Sequence, residues 1–452
     1  MDRVHEVVII GGGFAGLNAA LQLKKAKARI TLIDRRNHHL FQPLLYQVAT
    51  GGLSPADISA PIRALLAKQK NTRVLLGNVV NIEPQTREVH LESGQSISYD
   101  SLILATGANH AYFGNDQWEA DAPGLKTLED ATRIRHKILL AFEKAELAET
   151  PEERKQWLTF GIVGAGPTGV ELAGALAELA GHTLRNDFRN DFRNIDTAEA
   201  TIYLLDGNDR VLPTFEANTS AKACKALNQL GVTVRTGVIV TEISHLGASL
   251  KTTDGTESML ARTILWAAGV RASVLGPLLA KKTGAETDRV GRLIVTADFN
   301  LPNNPEIYVA GDLASYSHFD GKPLAGTAAV AQQQGQHIGR TITAKLTGKA
   351  AKPFRYTHYG DLAVIGRSAA VADIGKLRLS GHTAWWFWLL VHLAKLVDLQ
   401  NRMTVMVQWS WSYVTRKRSA RLVMPGAEIL ADFKEPETEA SDVKESEPQV
   451  AD

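Results

Sequence analysis

Two glycine-rich turns are the part of this sequence with the clearest potential for chemistry. Both have the spacing G-x-G-x-x-G, and their glycines are Gly11, Gly13 and Gly16 in the first turn and Gly164, Gly166 and Gly169 in the second. In such a turn the first glycine permits a tight bend, the second lets the backbone approach a pyrophosphate, and the third lets a helix pack closely against a strand. Each turn therefore predicts a dinucleotide-binding site at a helix N-terminus.

An aspartate ends the strand that follows each turn. Asp34 closes the segment ARITLID, and Asp206 closes the segment ATIYLLD. A carboxylate at this position accepts hydrogen bonds from an adenosine ribose and would repel the 2′-phosphate of NADPH. One glycine turn alone could merely connect a strand to a helix, whereas two copies with strand, helix and terminal aspartate favour a binding function. The second turn is therefore expected to bind NADH.

The motifs require two βαβ units to position them. Residues 5–10 have the unbroken apolar pattern of a buried parallel strand, and the same order of strand, turn and helix returns after residue 157. A β-meander pattern follows each unit. We predict an α/β fold with two Rossmann-like domains, in which the second is inserted into the first. The predicted boundaries are 1–120 and 298–379 for the first domain and 121–297 for the second.

The segment YVAGDLA indicates which turn binds a flavin. Asp312 follows a strand and begins a helix, with Gly311 before it. A carboxylate in this position suits the hydroxyl groups of a ribityl chain. Because this segment belongs to the first domain, we expect non-covalent FAD at the first turn and NADH, as an exchanging substrate, at the second.

The composition excludes several classes of protein. Cys224 is the single cysteine, so an internal disulfide, a CxxC redox pair and a cysteine-based metal or iron–sulfur site are excluded. No metal site is predicted. The formal net charge of +2 gives no field that would attract nucleic acid, so no nucleic-acid partner is expected.

The C-terminal part of the chain has a different composition. The apolar segments at 384–397 and 403–414 are each shorter than the roughly 20 residues that cross a bilayer. They are rich in tryptophan, and the basic residues that follow them are Arg416, Lys417, Arg418 and Arg421. This pattern predicts a monotopic anchor on an anionic lipid surface, with a dimer interface as the alternative. We assign 380–430 to the anchor and 431–452 to a disordered acidic tail.

Several segments together resemble the type II NADH dehydrogenases, the single-chain, non-proton-pumping NADH:quinone oxidoreductases. They are GGGFAGL, HHLFQPLLYQVATGGL, LILATGA, GAGPTGVELAGALAE, ILWAAGV, YVAGDLA, AVAQQQGQ and DLAVIGRSAAVADI. The resemblance implies a pyridine nucleotide-disulfide reductase-like fold, FAD, a membrane quinone as electron acceptor and a homodimer. Because the first strand starts at residue 5 and leaves no room for a leader, we expect a peripheral protein on the cytoplasmic side of the cell inner membrane.

The resemblance also implies cofactor-binding roles for individual residues. Those around FAD are Phe14, Ala15, Arg35, Ala49, Thr50, Gly51, Val80, Ala105, Thr106 and Gly107. Those around NADH are Pro167, Thr168, Ala268 and Gly269. Ala49, Thr50 and Gly51 are expected along the isoalloxazine, since small residues permit close backbone approach.

Three residues are predicted to be catalytic from the same resemblance. Glu171 matches the family's acidic residue between nicotinamide and flavin, with a helix-dipole partner in a first turn as the alternative. The family's quinone-site motif Ala-Gln-x-Ala-x-Gln corresponds here to AQQQGQ, in which Gln334 replaces the second alanine. Gln332 and Gln336 lie four residues apart and hence on one helical face. Which of them faces the quinone stays open, and a simple polar helix face is the alternative.

The implied reaction transfers a hydride from NADH to N5 of FAD and then two electrons to a membrane quinone, without proton pumping. Two other functions remain open at this point. One is an NADH-dependent reductase of a small electron-transfer protein, and the other is an NADH-sensing flavoprotein with slow turnover.

Overall fold

Parallel β-sheets carry both glycine turns in the computed structural model, which describes residues 3–185, 194–318, 321–418 and 420–423. The predicted acidic tail at 431–452 lies outside the described residues. In both sheets the strand before the turn has a neighbour on each side, so the turn emerges from the interior of the sheet's carboxyl edge.

The first sheet surrounds the first turn. Its strands, in spatial order, are Asn300–Leu301, Asn304–Val309, Ser101–Leu104, His5–Ile10, Ala28–Asp34 and Thr72–Leu76. All neighbours run parallel except the edge pair formed by the first two. The side chains of Val7, Val8 and Ile9 are buried, because helices cover both faces of such a sheet. The strand from residue 304 rejoins this sheet, which confirms that the second domain is an insertion.

The second sheet repeats this arrangement around the second turn. Its strands, in spatial order, are Val232–Thr236, Thr201–Asp206, Thr159–Val163 and Thr263–Trp266. All neighbouring pairs are parallel. The prediction of two Rossmann-like units is therefore confirmed.

Antiparallel meanders and short ribbons accompany the sheets. One meander consists of Val79–Glu83, Glu88–Leu91 and Ser96–Ser98, and the other of Ile239–Ser244, Gly247–Thr252 and Gly255–Leu260. The ribbons pair His38–Leu40 with Ser59–Pro61, and Leu293–Ile294 with Ala314–Ser315.

The chain passes between the two sheets through a ribbon of its own. Ala108–His110 leaves the first sheet, Val270–Ala272 leaves the second, and these strands pair antiparallel. Both crossings lie N-terminal to the predicted domain boundaries near 120 and 297. The ribbon holds the carboxyl ends of the two sheets, and with them the two turns, close together.

Helices cover the sheets and extend towards the C-terminus. Those before the C-terminal region are Phe14–Gln22, Leu45–Ala49, Ile62–Leu66, Leu128–Leu147, Pro151–Trp157, Pro167–Glu178, Ala217–Gln229, Leu275–Thr283 and Ala328–Leu346. The helix at 167–178 continues as a π-helical turn, Leu179–Leu184. An N-cap side chain begins two of the long helices: Thr127 accepts the N–H of Asp130, and Thr327 accepts the N–H of Val330.

The C-terminal region combines a small sheet with the two predicted anchor helices. The strands Asp361–Gly366, Ala369–Ile374 and Leu377–Gly381 form an antiparallel sheet, and the helices are His382–Lys395 and Leu399–Thr415. Nowhere in the described part of the chain does a helix have both the length and the apolar character to cross a membrane.

The first-turn helix crosses the helix Ala328–Leu346 at very short range. A Cβ added to Gly335 would lie 2.0 Å from the carbonyl oxygen of Ala15, and one added to Gly339 would lie 2.7 Å from Cβ of Gln22. These two glycines are four residues apart and so lie on the same helical face. They allow the helix with the predicted quinone motif to pack directly on the helix of the first turn.

Substitution of Gly335 by alanine tests this crossing. The added methyl group would overlap the Ala15 carbonyl, so we expect a loss of about 2 kcal/mol of stability and weaker FAD retention. Thermal unfolding and the FAD released on ultrafiltration measure the two effects. Gly181→Ala is the control, because no atom lies within 4 Å of its added Cβ; equal behaviour of both variants would contradict the prediction.

Candidate functional site

The first glycine turn has the geometry that its spacing predicts. Gly11 has a φ of +102°, and a Cβ on it would lie 2.4 Å from the carbonyl oxygen of Ala105. A Cβ on Gly16 would lie 1.8 Å from the carbonyl oxygen of Gly11. Gly13 differs, because nothing in the described residues lies within 4 Å of its added Cβ. The space beside Gly13 is thus open for a group that approaches the backbone.

The second turn repeats these contacts. Gly164 has a φ of +103°, and its added Cβ would lie 2.7 Å from the carbonyl carbon of Ala267. A Cβ on Gly169 would lie 1.8 Å from the carbonyl oxygen of Gly164, whereas Gly166 again faces open space within the described residues. The two turns are therefore sterically equivalent cradles for a pyrophosphate.

The helix that starts at each cradle has no side-chain cap. Gly13 and Gly166 occupy the N-cap positions and make no side-chain hydrogen bond there. Pro167 lacks an N–H, and both Pro167 and Thr168 are exposed. The uncapped N–H groups of such a first turn attract an anion. The residues present therefore fit the two dinucleotides that the sequence predicts.

Each strand-terminal aspartate braces the middle of its turn. The N–H of Gly12 donates to Oδ2 of Asp34 over 2.6 Å, and the N–H of Ala165 donates to Oδ2 of Asp206. The other carboxylate oxygens accept the N–H groups of Arg36 and Asn208, each over 2.7 Å. This bracing role was not predicted from the sequence. Because an ionised carboxylate accepts about four hydrogen bonds, each aspartate retains capacity for a ribose hydroxyl.

His39 holds the first turn from its other side, and sequence reasoning missed it. Its ring is buried, and Nδ1 donates to the carbonyl oxygen of Gly12 over 2.9 Å. Burial lowers the pKa of His39, so the ring is neutral at neutral pH. The predicted residue Phe14 packs edge-on against this ring, with 5.0 Å between the ring centres. The doublet of histidines in HHLFQPLL was the available signal.

The Ala-Gly-Asp turn at 310–312 is also fixed by side chains. Gly311 has a φ of +73° and donates its N–H to Oε1 of Gln334 over 2.7 Å. Gln334 is buried, so the residue that departs from the family motif supports the predicted ribityl site. The carboxylate of Asp312 lies 3.5 Å from Nζ of Lys126. This ion pair joins the chain after the domain crossing to the flavin side of the molecule.

The remaining predicted cofactor residues lie in several places. Thr106 Oγ1 is 2.6 Å from Ser273 Oγ, and the N–H of Ser273 donates to the carbonyl oxygen of Gly107, so these residues connect the ends of both sheets. Gly269 has a φ of +71° beside the partly buried Ala268. Arg35 and Val80 are exposed, whereas Ala49 and Thr50 are buried and precede Gly51.

A cavity of about 300 Å³ separates the two turns from the C-terminal helices. Its polar wall includes Tyr46, Thr50 and Glu171, and its aromatic wall includes Trp388 and Trp409. A mostly apolar cavity with a few converging polar groups is typical of a site for a small organic molecule.

Glu171 is the most strongly perturbed acid in this cavity. Its side chain is buried, and Oε1 accepts the N–H of Val364 over 3.4 Å. Burial raises the pKa of Glu171 to about 8, so the group is a neutral acid at pH 7. Glu171 is the fifth residue of the helix Pro167–Glu178, whose first turn contains no acidic residue. Its expected place in the first turn was therefore wrong, and the helix-dipole alternative loses its basis.

The structure does not bring the two predicted glutamines to this cavity. Nε2 of Gln336 donates to Oδ1 of Asn18 over 3.0 Å, which ties it to the first-turn helix. Gln332 makes no side-chain hydrogen bond within the described residues, and neither glutamine lines the cavity with Glu171. Gln333 instead makes paired hydrogen bonds with the backbone of Thr357. Their catalytic roles stay predictions.

The fold and the two cradles define a flavin-dependent pyridine nucleotide oxidoreductase. The family described as pyridine nucleotide-disulphide oxidoreductase matches residues 5–335, and the NDH2 C-terminal domain matches residues 358–417. Within this class, the chain belongs to the type II NADH:quinone oxidoreductase family.

Two relatives and one solved structure support this membership. The chain is 44% identical over 423 residues to the type II NADH:quinone oxidoreductase Ndh of Mycobacterium tuberculosis, covering 92% of this chain and 89% of the relative. It is 43% identical to NdhA of the same organism, covering 93% and 92%. NDH2 from Plasmodium falciparum, solved in complex with NADH, shares the fold with a TM-score of 0.84 at 21% identity, over 94% of this chain and 100% of that one.

Replacing Asp206 by serine tests the second cradle. The change removes the ribose acceptor, the support of the Ala165 amide and the repulsion of a 2′-phosphate. We expect the KM for NADH to rise about tenfold and the preference for NADH over NADPH to fall, both measured by steady-state kinetics. Asp254→Ser, at an exposed turn, is the control. An unchanged preference would show that the ribose contact lies elsewhere.

Replacing Glu171 by glutamine tests the neutral state of this acid. The raised pKa means that the folded protein holds a proton that the unfolded chain releases above its ordinary value of 4.5. The wild type should therefore lose stability from about pH 5 to pH 8, with a slope of up to about 1.4 kcal/mol per pH unit. Glu171→Gln should lack this slope in denaturant unfolding across that range. Parallel pH profiles of both proteins would contradict the assignment.

Proposed function

We propose that this chain oxidises NADH and reduces a membrane quinone through non-covalently bound FAD, without translocating protons. The observation that carries the proposal is the cavity in which Glu171, from the second-turn helix, meets Thr50 of the first domain and Trp388 of an anchor helix. A nucleotide site, a flavin site and an apolar compartment meet there. When bound, FAD supplies the redox chemistry, accepting a hydride from NADH and passing two electrons to the quinone.

The contribution of the protein is mainly geometric. The two cradles hold their dinucleotides at the adjoining carboxyl ends of the sheets, and Asp206 selects the nucleotide without a 2′-phosphate. The buried segment that contains Ala49 and Thr50 excludes water beside the cavity. Fixed position and exclusion of water favour a transfer that needs two ring systems in contact.

Glu171 is proposed to act as a hydrogen-bond donor in the cavity. Reduction of a quinone to the hydroquinone consumes two protons as well as two electrons. A carboxylic acid that is neutral at pH 7 donates a hydrogen bond to a carbonyl oxygen, whereas a carboxylate only accepts. The raised pKa of Glu171 therefore suits contact with the carbonyl oxygen of a quinone.

The anchor helices have two aromatic faces with different roles. Trp388 is 2% exposed, and Nε1 of Trp409 donates to Oε1 of Gln47 over 2.8 Å, so both face the protein. The outward face is apolar, and its exposed residues include Trp386, Leu390, Met403, Val407, Trp411 and Val414. We propose that the outer face lies on an anionic lipid surface, on the cytoplasmic side of the cell inner membrane. The homodimer stays a prediction from the sequence.

Steady-state assays test the proposed function. Purified protein with FAD should oxidise NADH rapidly when a ubiquinone analogue is present, with hydroquinone formed in equal amount. Rapid turnover with a small ferredoxin or rubredoxin and none with quinone would favour a protein reductase. Uniformly slow turnover with every acceptor would favour an NADH sensor.

Replacing Trp386 and Trp411 by serine tests the anchor. Loss of two large apolar side chains from the outer face should weaken binding to anionic phospholipid vesicles at least about tenfold, as measured by flotation. Reduction of a water-soluble quinone should persist, because neither residue lines the cavity. Leu147→Ser with Leu260→Ser, which removes exposed apolar groups elsewhere, is the control. Unchanged vesicle binding by the tryptophan variant would place the membrane contact on another surface.

A further inference from the structure

Arg418 turns inward after the last anchor helix. Arg416 ends that helix with a φ of +60°, which reverses the chain. The side chain of Arg418 is only 10% exposed, beside Glu178. From its sequence position Arg418 was grouped with lipid-facing basic residues, and this expectation is wrong because its guanidinium lies inside the protein.

The guanidinium of Arg418 contacts both nucleotide-binding units. Nη1 donates to the carbonyl oxygens of Thr50 and Ala175, each over 3.1 Å. Nη2 forms an ion pair with Oε2 of Glu178 at 3.3 Å. Thr50 belongs to the flavin side, whereas Ala175 and Glu178 lie on the helix that follows the second turn. Arg418 and all three partners line the cavity.

The partners are themselves fixed by other elements. Glu178 also accepts the N–H of Arg367, which attaches it to the C-terminal sheet. Gly51, next to Thr50, has a φ of +69°, and its added Cβ would lie 3.1 Å from the carbonyl oxygen of Ala420. The chain on both sides of Arg418 therefore covers the segment that is expected along the isoalloxazine.

The chemistry of arginine suits this bridge. A guanidinium presents five N–H donors in a rigid plane, so one side chain reaches two carbonyl oxygens and a carboxylate together. A lysine ammonium would keep the charge beside Glu178 but lacks that fixed fork. The bridge thus sets a distance between two backbone segments as well as neutralising an acid.

We propose that Arg418 is a positioning residue for the quinone. It fixes the separation between the Thr50 carbonyl and the helix Pro167–Glu178, and with it the width of the cavity. This inference rests on the proposed function and deepens it. The anchor helices deliver Arg418 to its place, so the C-terminal region shapes the acceptor site in addition to contacting lipid.

Two variants and a matched control test the proposal. Arg418→Gln removes the charge and the fork, Arg418→Lys removes only the fork, and Arg289→Gln makes the same change at an exposed site. We expect the KM for a short-chain ubiquinone to rise about tenfold in Arg418→Gln and in the same direction in Arg418→Lys. The anaerobic rate of flavin reduction by NADH, per bound flavin, should match the wild type, as should binding to anionic vesicles.

The outcomes separate this inference from the proposed function. An unchanged quinone KM in a folded Arg418→Lys would overturn it, and so would weaker vesicle binding without a change in KM. A lower melting temperature with an unchanged KM would assign Arg418 a purely structural role and also overturn it. If Arg418→Gln does not fold, Arg418→Lys decides the question. Failure of the wild type to reduce any quinone would instead refute the proposed function.

Discussion

Each glycine turn keeps its shape because a carboxylate from the next strand binds the amide at its centre. Asp34 accepts the N–H of Gly12, and Asp206 accepts the N–H of Ala165. A bend made of glycine is flexible by itself, so this hydrogen bond fixes the backbone that faces a pyrophosphate. The parallel sheets place the end of the second strand beside the turn that follows the first. The paired dinucleotide sites depend on this repeated contact.

The two turns differ on their opposite side, and the difference leads to the cavity. The carbonyl oxygen of Ala165 accepts a backbone N–H, from Leu212. The corresponding oxygen of Gly12 accepts the imidazole N–H of His39. His39 belongs to the segment that continues to Thr50 on the cavity wall. The first cradle and the proposed acceptor site are thus built from one stretch of chain, and Glu171 and Arg418 approach it from elsewhere.

Local patterns made much of the fold predictable. Glycine spacing, unbroken apolar strands and terminal aspartates depend on neighbouring residues, so they predicted both Rossmann-like units and the insertion. The cavity was not predictable in this way, because its contacts join distant parts of the chain. Glu171 binds the backbone of Val364, and Arg418 binds that of Thr50. Tryptophan content likewise indicated an anchor, but only packing separates the inward Trp388 from the outward Trp386.

Anaerobic stopped-flow with sequential mixing tests the central claim most directly, namely that the two cradles and the cavity form one route for electrons. Flavin absorbance is followed while the protein is mixed first with one equivalent of NADH and then with a ubiquinone analogue. The account predicts rapid bleaching in the first step and rapid recovery in the second. Bleaching without recovery would contradict a quinone site beside the flavin, and no bleaching would contradict the assignment of the two cradles.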